Sequence, residues 1–162
     1  MHRGLQQDPL AAVRHLPLSN MRIALGSDLQ SELTNDLERQ LRERGHEPVL
    51  FGALSEGHDK AWPVVGRAVA EAVTRGVCDQ GIVCCWTGTG VTIAANKVAG
   101  ARAALCNDAE TARGARTWND ANILALSIRS TSIAVAAEIL TAWFDAGPTD
   151  DASDRAMIAQ IE

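Results

Sequence analysis

Five short apolar runs alternate with five helix-patterned segments along this chain, and that alternation restricts it to one class of fold. The runs are MRIALGS (21–27), HEPVLFG (46–52), QGIVCC (80–85), ARAALC (101–106) and NILALS (122–127). Each has the length of a strand buried on both faces. Between the first two, Leu33, Leu37 and Leu41 recur at i, i+4 and i+8, and Gly45 is placed to end that helix. The segment 62–76 carries Pro63 in its first turn and Gly76 after its end. Residues 91–98 read as a short Ala-rich helix, 108–118 as a helix with Asp108 at its N-cap, and 131–147 as a long apolar helix with Gly147 past its end. Helices of this length between buried strands imply right-handed crossovers and a parallel sheet covered on both faces. The predicted architecture is α/β: a three-layer α/β/α, Rossmann-like domain with a five-stranded parallel sheet.

Residues 1–20 have no uninterrupted apolar core of signal-peptide type and precede Met21, where the first strand begins. They read as a poorly ordered N-terminal extension, and residues 21–162 as a single domain. The net charge of −5 argues against a nucleic-acid or anionic-membrane surface. No apolar run approaches the roughly 18 residues of a membrane span. Cys78, Cys84, Cys85 and Cys106 make no CxxC pair and precede no His at zinc-finger spacing. Reduced thiols in a cytoplasmic protein are the simplest reading.

In open parallel sheets, ligands bind outside the carboxyl ends of the strands. Those ends are Ser27-Asp28, Phe51-Gly52, Cys85-Trp86, Cys106-Asn107 and Ser127. The third continues as CCWTGTGVTIAANK (84–97). Gly88 and Gly90 let the backbone approach a ligand closely. A helix beginning near Val91 would offer its free N–H groups to a phosphate or a reaction oxyanion. Cys85 would lie beside that anion site, where a thiolate is favoured as base or nucleophile. The dinucleotide fingerprint fails, because Ile93 stands where a third glycine is needed, and a P-loop lacks its Gly-Lys-Ser/Thr. Thiol redox chemistry fits poorly, since adjacent strand residues diverge. Two readings of the turn stay open on periodicity alone: an anion-binding catalytic turn, or a tight glycine turn beside an inert core cysteine.

From Met21 to about Trp143 the chain resembles the ribose-5-phosphate isomerase B / galactose-6-phosphate isomerase family. The resemblance is carried by IALGSD, by TGTGVTIAANKVAGARAALCNDAETARGAR and by NDANILALSIR. It implies aldose–ketose isomerisation of a phosphorylated sugar through a cis-enediolate, with no metal or organic cofactor. Cys85 would be the base and Thr87 would orient the reacting groups. The amides of Gly88, Thr89 and Gly90 would stabilise the enediolate oxygen. Asp28 would bind substrate hydroxyls; its plainer role is an N-cap of the following helix. Asn119 would contact the reacting end from the second subunit of a homodimer or dimer of dimers; otherwise it fixes a loop. Arg129 would bind substrate or phosphate, against the alternative of a surface ion pair. Arg155 lies where the family carries phosphate-binding arginines, although the local pattern differs. Arg113 and Arg116 read as solvated or interfacial, and the stripe Ile133, Ala137, Leu140 and Phe144 as a dimer face.

Four positions depart from the family. Trp62 joins the substrate-binding set in place of a tyrosine, and Trp86 replaces a glycine beside Cys85. Leu29 replaces a histidine after the first aspartate. Trp118 replaces the histidine the family uses to open a sugar ring, and indole offers one donor and no base. A tetrose 4-phosphate cannot close a five-membered ring, because the hydroxyl required is esterified. Erythrose/erythrulose 4-phosphate therefore suits this pocket, with ribose 5-phosphate/ribulose 5-phosphate, its ring opened by water, as the second substrate. The alternative function is a non-catalytic sugar-phosphate-binding protein; retention of Cys85, Thr87 and the glycines argues against it.

Overall fold

The computed structural model describes residues 20–162, so all of the N-terminal extension but Asn20 lies outside the described residues. The chain runs β1 (Arg22–Ser27), α1 (Glu32–Glu43), β2 (Glu47–Gly52), α2 (Trp62–Thr74), β3 (Gln80–Cys85), α3 (Thr89–Asn96), β4 (Ala103–Leu105), α4 (Ala109–Asn119), β5 (Ile123–Ser127) and α5 (Ile133–Asp145). A short helix, α6 (Ala152–Ile158), and a 3-10 turn (Ala159–Ile161) follow. The five strands form one parallel sheet in the order β2-β1-β3-β5-β4. None of the described helices is long and apolar enough to cross a membrane.

The pleat divides the strand residues between two cores. Ile23, Leu25, Ile82, Cys84, Leu124 and Leu126 face α1, α4 and α5, where they meet Leu37, Ala115 and Leu140. Ala24, Val83, Cys85 and Ala125 face α2 and α3, where they meet Val69, Val91 and Ala95. Burying each large aliphatic side chain contributes about 1.5–3 kcal/mol, so both layers are strongly held. Trp143 is buried on the first face, and its indole N–H donates to Gln80 Oε1 at 2.7 Å, which satisfies its polar edge.

Local signals start the helices. Ser31 and Thr34 form a reciprocal capping box on α1. Pro63 sits in the first turn of α2, and Asp108 caps α4 by accepting from the Thr111 amide at 2.7 Å. Several expectations need correction. The third helix begins at Thr89 rather than Val91, directly after the glycine turn. The fourth strand is three residues long rather than six. Its entry is diverted: the Arg102 amide bonds the Asn122 side chain at 2.8 Å instead of a neighbouring strand. Arg116 is buried rather than solvated, lying 5.5 Å over the Trp143 ring and donating to the Ala121 carbonyl. Arg113 is exposed and pairs with Glu110 at 3.3 Å, as a solvated residue should. In the α5 stripe, Leu140 and Phe144 are covered by the chain's own core, while Ile133 stays exposed.

His46 at the opposite edge of the sheet makes stability depend on pH. Its ring is buried 4.5 Å from Phe144, and Nδ1 accepts from the Met21 amide at 3.4 Å. Nε2 has no partner among the described residues. Burial, with a smaller contribution from the Arg44 charge, pushes the pKa below the usual histidine value. The unfolded chain therefore takes up the proton first as pH falls. This contribution to stability is fully present above pH about 6.5 and is lost progressively below it. Denaturant melts between pH 7 and pH 5 should show a falling midpoint, with a shallower slope in His46→Gln. Equal slopes in the two proteins would refute the assignment.

Candidate active site

The chain passes from β1 through α1 to β2 on one side, then returns through α2 past β1 to β3 on the other, so the strand order reverses between β1 and β3. Such a switch point opens a crevice at the carboxyl ends of the strands. A cleft of about 280 Å³ lies there. Its walls are Asp28 after β1, Trp62 at the start of α2, Cys85 at the end of β3, and Trp86, Thr87, Thr89 and Gly90 leading into α3. Six of the nine side chains and backbone positions singled out in the sequence thus share one cleft; Gly88 is buried in the turn beneath it.

Asp28 is held by the turn after β1. The Ser27 hydroxyl donates to the Leu29 carbonyl at 2.6 Å and accepts from the Leu29 amide at 3.3 Å. Because Ser31 caps α1, Asp28 is not the N-cap its plainer reading proposed. Its Oδ1 is buried without a partner among the described residues. Desolvation raises its pKa, partly offset by hydrogen bonds from backbone amides. An unpaired buried carboxylate oxygen is costly unless a ligand donates to it.

Cys85 is 6% exposed and faces the α2–α3 side, whereas Cys84 is fully buried on the other. Burial pushes the Cys84 thiol far up, with smaller effects from Cys85 and Asp28. The turn after β3 is clamped by the end of β5. The Ser127 hydroxyl donates to the Trp86 carbonyl at 3.0 Å, and the amides of Ile128 and Arg129 donate to the carbonyls of Cys85 and Trp86 at 3.0 and 2.9 Å. Ser27 and Ser127 went unassigned in the sequence; a serine closing a buried apolar strand was the available signal.

Thr87 and Thr89 share a hydroxyl hydrogen bond of 2.8 Å across the turn. Gly88 is left-handed (φ 76°) and caps α3 with no side-chain hydrogen bond, so the first amides of the helix have no capping side chain. A Cβ on Gly88 would lie 2.6 Å from Leu105 Cδ1 and 2.9 Å from the Leu126 carbonyl carbon. Gly88→Ala should therefore cost at least about 1–2 kcal/mol from the backbone conformation alone, before the clash is counted. A thermal melt at or above the wild-type midpoint would contradict this. At Gly90 a Cβ would meet the Trp62 ring at 2.9 Å, so the indole packs closely over the turn. Trp62 and Trp86 are both about half exposed at the cleft mouth.

Two candidates lie elsewhere. Asn119 is the last residue of α4, exposed, and lines a separate cavity of about 320 Å³ with Asn96, Arg102 and Ile161. Arg129 is tied to Trp86 through its backbone, but its exposed side chain does not line the cleft, nor does it pair with a carboxylate among the described residues. Arg155 lines a third cavity with Asp120 and Thr149. Trp118 is exposed and lies over Gly114, where a Cβ would be 2.7 Å from its ring.

The family described as Ribose/Galactose Isomerase matches residues 23–161. D-erythrulose-4-phosphate isomerase of Pectobacterium atrosepticum is 37% identical over 125 residues, covering 76% of this chain and 82% of that protein. Ribose-5-phosphate isomerase B of Escherichia coli is 38% identical over 126 residues, covering 77% and 84%. Among solved structures, ribose-5-phosphate isomerase B of Clostridium thermocellum superposes with a TM-score of 0.79 at 40% identity, covering 87% of this chain and 95% of that one. With a shared sheet and matches along nearly the whole domain, this chain belongs to the ribose/galactose isomerase family of sugar-phosphate isomerases.

Proposed function

We propose that residues 21–162 form a single catalytic domain that interconverts the aldose and ketose forms of a tetrose 4-phosphate, erythrose/erythrulose 4-phosphate. Cys85 removes the proton from the carbon beside the carbonyl. The electron pair moves onto the carbonyl oxygen to give a cis-enediolate. The proton returns to the adjacent carbon, and the carbonyl forms one position along. Thr87 orients the hydroxyl that is reacting, and the amides of Gly88, Thr89 and Gly90 stabilise the enediolate oxygen. Asp28 accepts from substrate hydroxyls, Trp62 and Trp86 limit the length of sugar admitted, and Arg129, exposed outside the cleft, meets the phosphate where the substrate extends beyond it. No metal or organic cofactor enters this chemistry.

The observation that carries the reading is the convergence of Asp28, Cys85 and Thr87 on one cleft beside an uncapped helix start. Relatives of nearly equal identity act on four- and five-carbon phosphates by their names, so identity does not choose between them. Trp118 supports the tetrose, because an indole cannot move the ring-opening proton. A panel of four-, five- and six-carbon sugar phosphates tests the reading; turnover of none of them would overturn it.

Asn119 completes the site from a second subunit in this reading, as a homodimer or dimer of dimers. Its support is that Asn119 and Cys85 line different cavities of one chain. Light scattering at micromolar concentration should give two or four subunits; a fully active monomer would contradict it. Four free thiols suit a cytoplasmic location.

A further inference from the structure

Asn119 ends α4, and the residue that follows it has an uncommon backbone. Asp120 sits at φ 45°, the one non-glycine residue with positive φ among those described. Such a conformation persists where the surroundings over-determine it. Asp120 is the C-cap of α4, its amide donating to the Ala115 carbonyl, and one side chain adds two further bonds to it. Arg102, at the entry to β4, donates from Nε to the Asp120 carbonyl at 2.7 Å and from Nη2 to Asp120 Oδ2 at 3.2 Å. Its Nη1 pairs with Glu162, and its side chain is only 16% exposed. Its backbone is fixed in turn: the Arg102 amide bonds Asn122 Oδ1 at 2.8 Å, and Asn122 Nδ2 bonds the Gly100 carbonyl at 2.9 Å. Arg116 reaches Asp120 Oδ1 from the other side at 3.5 Å. Arg102 and Asn119 also line the same cavity.

We infer that Arg102 is a positioning residue for the reaction. It acts through Asp120 to set the direction in which α4 presents Asn119, and Glu162 steadies the guanidinium. The inference rests on the proposed role of Asn119 at the reacting end of a neighbouring subunit. A guanidinium is suited to the task because its fixed fork meets a carbonyl and a carboxylate of the same residue at once, which an ammonium cannot do.

A kinetic double-mutant cycle on the preferred substrate of the panel tests it, using Asn119→Ala, Arg102→Gln and the double variant, with Arg102→Lys and Glu162→Gln alongside. If Arg102 acts through Asn119, Arg102→Gln lowers kcat roughly tenfold with KM little changed, since small misplacements of reacting groups are costly. The double variant is then no slower than Asn119→Ala, because nothing remains to be positioned. Arg102→Lys does not restore the rate. Glu162 is half exposed, so Glu162→Gln keeps the fold; it should cost a few-fold in kcat and be silent when Asn119 is alanine. Additive losses, or wild-type kcat in Arg102→Gln and Glu162→Gln, overturn the inference while leaving Asn119 in its role. Wild-type activity in Asn119→Ala overturns that role, and the inference falls with it.

Discussion

Cys85→Ala is expected to lower kcat by at least about a hundredfold, the usual scale for removing a general base. KM should change little. A base acts only as the transition state is approached, so kcat and kcat/KM should fall together. Cys84→Ala is the matched comparison. It removes the same sulfur from the preceding residue, but that sulfur is fully buried in the core between the sheet and α1, α4 and α5. Its effect should fall on stability, through a small cavity, and not on turnover. The contrast between neighbouring residues tests strand alternation and base assignment together. Equal kcat in wild type and Cys85→Ala would remove Cys85 from the mechanism; a collapse of kcat in Cys84→Ala would place the reacting face on the wrong side of the sheet.

The second large effect concerns substrate length. The enzyme should show a kcat/KM for erythrulose 4-phosphate at least on the order of tenfold above that for ribose 5-phosphate, within the range one carbon centre commands in a shaped pocket. Two features combine. Trp62 and Trp86 line the cleft, each about half exposed, and in the proposed reading they limit the length of sugar admitted. Trp118, beside Asn119, supplies no base to open a ring. A pentose phosphate would therefore react only through its small open-chain fraction, whereas a tetrose 4-phosphate is always open. Trp118→His should raise the rate on ribose 5-phosphate and leave the tetrose rate almost unchanged. A preference of the wild type for ribose 5-phosphate would show that ring opening does not limit this enzyme.

Much of this was legible from residue order. Buried parallel strands are near-continuous apolar runs, so all five strands and the helices between them could be located, and with them the five carboxyl ends where ligands bind. Gly88 and Gly90 then singled out the third of those ends, with Cys85 beside it. What the sequence did not carry is depth. The leucine and phenylalanine of the α5 stripe looked available for a partner, yet α5 uses them against its own sheet. Arg116 looked solvated because a cation rarely sits under a tryptophan, and only the tertiary packing of α4 on α5 provides that place. In the sequence Cys106 ends an apolar run just as Cys85 does, although β4 itself stops at Leu105. Its thiol is instead buried, pushed up to about 12 by desolvation and by Asp108, and it lines no part of the cleft. Nor could spacing reveal that Asn119 and Cys85 face different cavities, since that depends on how α4 leaves the sheet.

Deuterium uptake reports the proposed chemistry most directly. Erythrulose 4-phosphate is incubated with the enzyme in deuterated water, and the hydroxymethyl carbon next to the carbonyl is followed by proton NMR. Removal of a proton there by Cys85 predicts replacement of one of the two hydrogens by deuterium with wild type, and retention of both with Cys85→Ala over the same time. Exchange equally fast in Cys85→Ala would contradict an enediolate formed by this cysteine.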